Sequence, residues 1–476
     1  MLKNKQKIVD LLSEQISQVN FRAAAYVFNE KTQKRPQRNI FIKMQAHLTR
    51  FLQGNPHNRW ITLTGLRGAG KTTLLFQLFQ TCQHKNVYRL FLSLDQTRQI
   101  LDVSLAEVLA VYEELIGEKL ENLTKPLVLF LDEVQYDQQW GLALKSVFDR
   151  SNRVFIFATG SAALLMNLNP DITRRAIFAK LFPLSFPEYL KIKQQKFEIK
   201  GLGQAVRTAL LAAPNAQAVF QQLKILTKKA DQYYLGVARL EFERYLNYGS
   251  LPFMLTAGNE GIIYDQINKT LERVVSNDIA STGRFGSEIV AKIPAILYSV
   301  ADLDAFNFST LAATFGLSRP KVVEILNLLE QTEVLHRLYP HGSHLNQARK
   351  PSKYLFAAPA FRSMYYKFIG NTISPANARG KLLEDLAGMY LYRILSQNPG
   401  QALTYDSAQG GADFIVNQGA RKIVLEVGAG AKGYRQTNKT AKKVQALYSL
   451  IITNSELTYS AKFQTVKVPW QLFLLM

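Results

Sequence analysis

The sequence has one cysteine, six histidines and no apolar run long enough to span a bilayer, and each shortage removes a class of function. A lone thiol, Cys82, excludes an internal disulfide, so a packed core has to hold the fold; Cys82 itself reads as a small packed side chain in a helix. With no CxxC pair and scattered histidines, no zinc-type pattern is present. A membrane-crossing helix needs about 20 apolar residues. The N-terminus, MLKNKQKIVD, has neither the apolar stretch nor the small-residue cleavage site of a secretory signal. The expectation is a soluble cytoplasmic protein without membrane association. Internal repeats and low-complexity tracts are absent too. Acidic residues are scarce: 36 Asp and Glu face 58 Lys and Arg, a formal charge of +22. Such an excess attracts polyanions, nucleic acid first, without conferring sequence preference. The tail from Arg421 concentrates it, with nine basic residues (Arg421, Lys422, Lys432, Arg435, Lys439, Lys442, Lys443, Lys462, Lys467) against Glu426 and Glu456.

A chain of 476 residues exceeds what one core usually organises, so several domains are expected. Changes of periodicity place them. Residues 1–58 read as a basic helical segment. Residues 59–198 alternate short apolar runs with helical stretches, the pattern of a parallel sheet covered on both faces. Residues 199–283 turn to long amphipathic stretches, read as a helical lid or connector. In 284–345, two short helices joined at Gly316 and followed by a strand at Val334–Leu338 suggest a winged helix-turn-helix. Residues 374–476 begin after a turn-rich stretch and form a last, small α/β unit. The fold class is α/β, with a P-loop NTPase sheet of the additional-strand type followed by helices, a winged helix and the C-terminal domain.

The chemistry is clearest at Gly65–Thr72, which reads GLRGAGKT and satisfies G-x-x-x-x-G-K-[ST] between a strand and a helix. The loop Gly65, Arg67, Gly68, Ala69, Gly70, Lys71, Thr72 and Thr73 is expected to hold ATP. Its glycines let backbone N–H groups turn onto phosphates at a helix N-terminus. Lys71 supplies charge at the β- and γ-phosphates, and the Thr72 hydroxyl is a Mg²⁺ ligand. Downstream, the apolar strand Leu127–Leu131 ends in Asp132 and Glu133. Asp132 is placed to hold the Mg²⁺, and Glu133 to act as general base toward water. A further strand, Val154–Ala158, ends in Thr159-Gly160-Ser161, giving Thr159 as the sensor of the γ-phosphate with Ser161 second. For Ser161 a plain helix N-cap is the competing reading. Arg174 and Arg175 are candidates for an arginine finger supplied to a neighbouring copy in a homo-oligomer, or else plain surface arginines.

These residues, with LDEVQ at Leu131–Gln135, Trp140, Lys145, ATGSA at 158–162 and LFPLSFPEY at Leu181–Tyr189, resemble the prokaryotic AAA-type (AAA+ superfamily) ATPases with a C-terminal domain of uncharacterised function. In that group a winged helix and a restriction-endonuclease-like domain follow the ATPase. The resemblance covers nearly the whole chain, more specifically in the ATPase half. It implies an AAA+ core and ATP rather than GTP. It also draws attention to Glu384, to Asp413 opening a strand, and to Glu426 on the next strand, positions that in restriction-type nucleases hold a metal beside a lysine. Here the lysine position is Gly428, and Lys432, four residues on, is the one substitute that pliable glycines would let reach back. A degenerate nuclease-like fold is therefore expected. Around the winged helix, Arg319 and Lys321 share their surface with Glu324 and Glu330, which repel phosphate; Arg337, Arg349, Lys350 and Lys353 are better DNA contacts. The combined expectation is an ATP-hydrolysing protein whose nucleotide state controls a nucleic-acid-binding region. A slow ATP-dependent switch and an ATP-gated nuclease are the alternatives.

Overall fold

The computed structural model describes residues 4–83, 86–161, 170–303, 308–343, 347, 350–368, 374–430 and 432–476. Arg349, expected at the wing, and Ala162 lie outside the described residues. The chain divides into two compact units, Met1–Phe182 and Pro183–Met476. The division falls before the limit of 198 expected from periodicity. The helix at Phe186–Gln194 explains the difference, because its buried Phe186, Tyr189 and Leu190 belong to the core of the second unit.

In the first unit, helices α1 (Lys5–Val27) and α2 (Ile40–Leu52) precede β1 (Trp60–Thr64), α3 (Lys71–Thr81), β2 (Tyr88–Ser93), α4 (Leu94–Leu101) and α5 (Leu105–Ile116). Then follow β3 (Leu127–Asp132), α6 (Trp140–Arg150), β4 (Val154–Thr159), the single turn α7 (Pro170–Thr173) and β5 (Ile177–Lys180). The five strands are all parallel, in the order β2-β3-β4-β1-β5. β1, β3 and β4 are buried at every position, because helices cover both faces of a parallel sheet. β4 therefore lies between β1 and β3, bringing the ends of the two motif-bearing strands to either side of Thr159. The basic N-terminal segment is part of this unit. α1 turns Ile8, Leu12, Gln15, Val19, Ala23 and Val27, spaced by threes and fours, onto α3 and α5.

In the second unit, α8 (Phe186–Gln194), α9 (Leu202–Leu211), α10 (Ala216–Tyr234), α11 (Arg239–Arg244), α12 (Glu260–Arg273), α13 (Ser287–Asp302), α14 (Phe308–Phe315) and α15 (Arg319–Gln331) come first. They lead to β6 (Leu335–Pro340), β7 (Lys353–Phe356), α16 (Pro359–Phe368), α17 (Pro375–Leu395), β8 (Gln401–Tyr405), β9 (Phe414–Gln418) and β10 (Arg421–Val427). The chain then continues through α18 (Arg435–Val444), β11 (Tyr448–Thr453), β12 (Thr458–Ser460) and β13 (Thr465–Pro469). The eight strands form one mixed sheet in the order β12-β13-β11-β10-β9-β8-β6-β7.

Two expectations are corrected here. The amphipathic stretch read as a lid packs on this second sheet: Leu202, Val206 and Leu210 of α9 and Val219 and Leu223 of α10 share a core with Ile423, Leu425, Leu450 and Val466. Tyr448 donates to the Leu210 carbonyl at 2.8 Å, and Arg421 to that of Ala213 at 2.7 Å. The hairpin β6–β7 after α14 and α15 is likewise no free-standing wing, because β6 pairs in parallel with β8 (Tyr339 with Thr404) and so continues the C-terminal sheet.

One buried ion pair ties four elements of this unit together. Arg362 on α16 and Asp385 on α17 are 3% and 0% exposed, and the guanidinium donates through Nε (2.5 Å) and Nη2 (3.0 Å) to the two carboxylate oxygens. Arg362 also donates to the Ala301 carbonyl of α13 at 2.5 Å, and Asp385 accepts from the Phe356 N–H of β7 at 3.0 Å. Both charges are thereby hydrogen-bonded as well as paired, the condition for tolerating them out of water.

Candidate nucleotide site and C-terminal acidic cluster

The loop between β1 and α3 depends on glycine at named places. Gly65, Gly68 and Gly70 have φ of 148°, 83° and 94°. A Cβ on Gly65 would lie 2.4 Å from the Leu181 carbonyl oxygen, so only glycine lets the loop start this close to the end of β5. Arg38, which precedes α2 and is 6% exposed, donates to the Ala69 carbonyl at 2.9 Å and to that of Phe182 at 2.8 Å, holding the loop from behind. No motif in a single sequence marks this arginine. Lys71 is buried, its ammonium on the carbonyls of Gly65 (2.9 Å) and Leu66 (3.3 Å). Thr73 follows it on the first turn of α3.

The acidic strand end meets this loop. Thr72 Oγ1 donates to Asp132 Oδ2 at 2.8 Å, and Thr159 Oγ1 donates to Asp132 Oδ1 while accepting the Glu133 N–H at 3.1 Å. Burial, and after it the Glu133 charge, raise the Asp132 carboxyl to about 6 against the opposing Thr159, Thr72 and Lys71. A dry, oxygen-rich pair such as Thr72 and Asp132 suits a hard divalent cation, which favours the ionised carboxylate. Glu133 adopts φ 54°, ψ 50°, a left-handed conformation uncommon outside glycine. A hydroxyl has one proton to give, and Thr159 spends it on Asp132, so its geometry serves the acidic pair. Ser161 is 4% exposed and its Oγ has no hydrogen-bond partner among the described residues.

Of the two candidate finger residues, Arg175 is held in a bidentate pair with Asp149 (2.8 and 3.0 Å), and Arg174 is exposed. Cys82 is buried and its thiol is pushed up to about 11 by that burial, which makes it unreactive.

In the second unit, Glu384 of α17, Asp413 just before β9 and Glu426 of β10 do come together, with two lysines among them. Lys432 Nζ lies 2.5 Å from Glu426 Oε1, and its methylenes occupy the space where a Cβ of Gly428 would be, 2.6 Å from Cε. Burial pulls the Lys432 ammonium down, but Glu426 and Asp413 outweigh it and hold it above the usual lysine range. Lys353 of β7 pairs with Glu384 and stands 3.9 Å from Asp413. Burial raises the Glu384 carboxyl to about 7, with Lys353 opposing. Asp413 Oδ2 accepts the Val427 N–H at 2.9 Å.

Two further expectations are corrected by this geometry. Glu384, Asp413 and Glu426, expected as ligands of one metal, lie near one another but beside lysines, Glu384 paired with Lys353 and Glu426 with Lys432, and among the described residues no group of three or more acidic, histidine or cysteine side chains is disposed to hold a metal ion. Lys353, expected at the DNA-facing wing, is 13% exposed in this cluster. Arg337 is half-buried and engaged within the unit, donating to Ser352 Oγ at 2.9 Å and lying 4.6 Å over the Tyr339 ring. Among the described residues no helix is long and apolar enough to cross a membrane.

A family model described as AAA domain matches residues 57–190, and one described as a domain of unknown function (DUF8612) matches 239–367. Among curated proteins, the uncharacterized protein MJ1637 of Methanocaldococcus jannaschii is 32% identical over 427 residues, covering 89% of this chain and 86% of that one. A second protein of that organism, uncharacterized protein MJ1544, is 25% identical over 143 residues, 30% of each chain. Solved structures similar to this chain include the Walker-type ATPase PABY2304 of Pyrococcus abyssi, at 12% identity and a TM-score of 0.37, covering 68% of this chain and 94% of that one. The RuvB Holliday junction branch migration motor of Thermotoga maritima is 18% identical with a TM-score of 0.27, covering 63% and 89%. Both scores are too low to carry weight, and the sheet order and the loop carry the fold assignment. The chain belongs to the family of the Methanocaldococcus jannaschii protein MJ1637, with an AAA-type P-loop domain in its first unit.

Proposed function

We propose that the first unit hydrolyses ATP to ADP and phosphate, and that its nucleotide state controls a nucleic-acid-binding region in the second unit. One observation carries the first half: the continuous hydrogen-bond chain from Thr72 through Asp132 and Thr159 to the backbone of Glu133. It sets a magnesium-type oxygen pair and a prospective base side by side at the mouth of a phosphate-binding loop. In this reading backbone N–H groups of Gly68–Thr72 and the Lys71 ammonium bind the phosphates. Thr72 and Asp132 would hold Mg²⁺, which when bound would offset charge on the phosphate oxygens. Glu133 takes the proton of the attacking water as the bond to the γ-phosphorus forms, and the ADP oxygen leaves. Ser161, with an uncommitted hydroxyl, suits the sensor role better than Thr159.

The nucleic-acid half rests on charge and on α18. That helix buries Thr437, Thr440 and Val444 and exposes Arg435, Lys439, Lys442 and Lys443. Lys439 donates to the Gln409 carbonyl and Lys443 pairs with Asp406 at 2.5 Å, which holds both in place on one face. Steady-state hydrolysis with and without duplex DNA tests the coupling. Stimulation by DNA is expected, and slow, DNA-insensitive turnover would favour the switch instead. Reversing Lys350, Lys442 and Lys443 to glutamate is expected to weaken DNA binding, each lost phosphate contact removing about 0.9 from the salt slope. Unchanged affinity and slope in a fluorescence titration would move the binding surface elsewhere.

A second reading, a nuclease, is favoured by the placement of Lys432 over Gly428 beside Glu426. Because lysines already neutralise the carboxylates, we expect no cleavage of duplex or single-stranded DNA above background with Mg²⁺ or Mn²⁺, with or without ATP. Metal-dependent cleavage lost in both Asp413→Ala and Lys432→Ala would make the protein an ATP-gated nuclease.

A further inference from the structure

We propose that Gln135 is a positioning residue for hydrolysis, fixing the Glu133 carboxylate and joining it to the strand end that carries Thr159 and Ser161. The inference rests on the reading of Glu133 as the base. A glutamate side chain has three rotatable bonds, and a base that must meet a water at one point gains from having them frozen. Two contacts of Glu133 are set by its neighbours. Its N–H is held by Thr159 Oγ1 at 3.1 Å, and its Oε2 accepts a hydrogen bond from Gln135 Nε2. The other end of the same amide, Gln135 Oε1, accepts the Ser161 N–H at 3.4 Å.

The orientation of that amide follows from its partners. A carboxylate can only accept and a backbone N–H can only donate, so the nitrogen must face Glu133 and the oxygen Ser161. Neither a carboxylate nor an ammonium could serve both, whereas glutamine does so with one planar group. The contact occupies Oε2 and leaves Oε1 as the oxygen that accepts the water proton. It also helps to hold the left-handed backbone at Glu133, a conformation that persists where surrounding contacts over-determine it. The amide spans from the base to the segment whose buried Ser161 hydroxyl has no partner among the described residues.

The competing account is that Gln135 merely stabilises the short turn Val134–Tyr136. A double-mutant cycle separates the two. Gln135→Ala is expected to lower kcat about 10-fold, with the Kd for ATP and the melting temperature close to wild type, in line with loss of orientation rather than of binding. Gln135→Glu, which keeps the size but removes the donor and sets a like charge beside Glu133, is expected to be at least as slow. Gln135→Met, nearly isosteric, repeats the alanine result should alanine fail to fold. In single-turnover assays in a Glu133→Gln background, Gln135→Ala is expected to cause no further loss, because the group it positions no longer acts as a base. Equal losses in both backgrounds, or a kcat within twofold of wild type, would overturn the proposal. A Glu133→Gln protein that hydrolyses ATP at the wild-type rate would overturn both this inference and the assignment of the base; a dead Glu133→Gln with an active Gln135→Ala would overturn the inference alone.

Discussion

Lys71→Ala is expected to reduce ATP hydrolysis to background and to weaken ATP binding by about 100-fold or more, the scale of a lost charge-assisted contact in a largely buried site. Lys71 is 5% exposed and its ammonium already sits inside the loop, on the carbonyls of Gly65 and Leu66. The Arg38 guanidinium, behind the same loop, is committed to the Ala69 and Phe182 carbonyls, so it offers no ready replacement. A calorimetric titration that returned an affinity within a few fold of wild type would remove nucleotide binding from this loop. The companion Glu133→Gln is expected to bind ATP normally while turnover falls by about 10²-fold or more, the usual scale for loss of a general base. Normal hydrolysis by that variant would mean that water is activated elsewhere.

The largest effect on stability is expected at Asp385→Ala. The change leaves the Arg362 guanidinium, 3% exposed, without its carboxylate and the Phe356 N–H without its acceptor. Stripping one partner from a buried pair costs about 3–5 kcal/mol, mostly through the charge left behind. Arg362→Met with Asp385→Leu, which removes both charges, is expected to lose less than either single change. Urea unfolding followed by a probe in the second unit measures this, and a single-variant loss below about 1 kcal/mol would show that the pair opens to water. Glu384, next in the chain, gives a contrast: its partner Lys353 is 13% exposed and keeps Asp413 at 3.9 Å, so its replacement should cost less.

The sequence made the nucleotide loop legible because its chemistry fixes residue types at fixed spacing: glycine where φ is positive, lysine and threonine at the helix start, carboxylates at a buried strand end. The gathering of Glu384, Asp413, Glu426 and Lys432 was legible in the same way, though only through resemblance. What stayed hidden was set by partners distant in sequence. Amphipathic spacing in α9 and α10 reveals that a face is buried, not that Ile423 and Leu450 bury it. A lysine in a strand such as Lys353 looks solvent-facing until the pairing of β6 with β8 puts its hairpin beside α17. The early division at Phe182 was concealed because Leu181–Tyr189 is mostly apolar, and its polar pair, Ser185 and Glu188, marks a helix start without telling which core each residue enters. Gln135 stands in a motif, yet its role requires knowing that β4 lies beside β3.

The pairing of Tyr339 with Thr404 means that the hairpin and the C-terminal strands share one hydrogen-bonded sheet. In evolution, such parts cannot be exchanged like beads on a string. A recombination point between α16 and α17 would leave one edge of β6 unpaired, a surface prone to join other chains, and would separate Lys353 from Glu384. The segment from α14 to β7 and the acidic cluster are therefore one structural piece, to be kept or lost together.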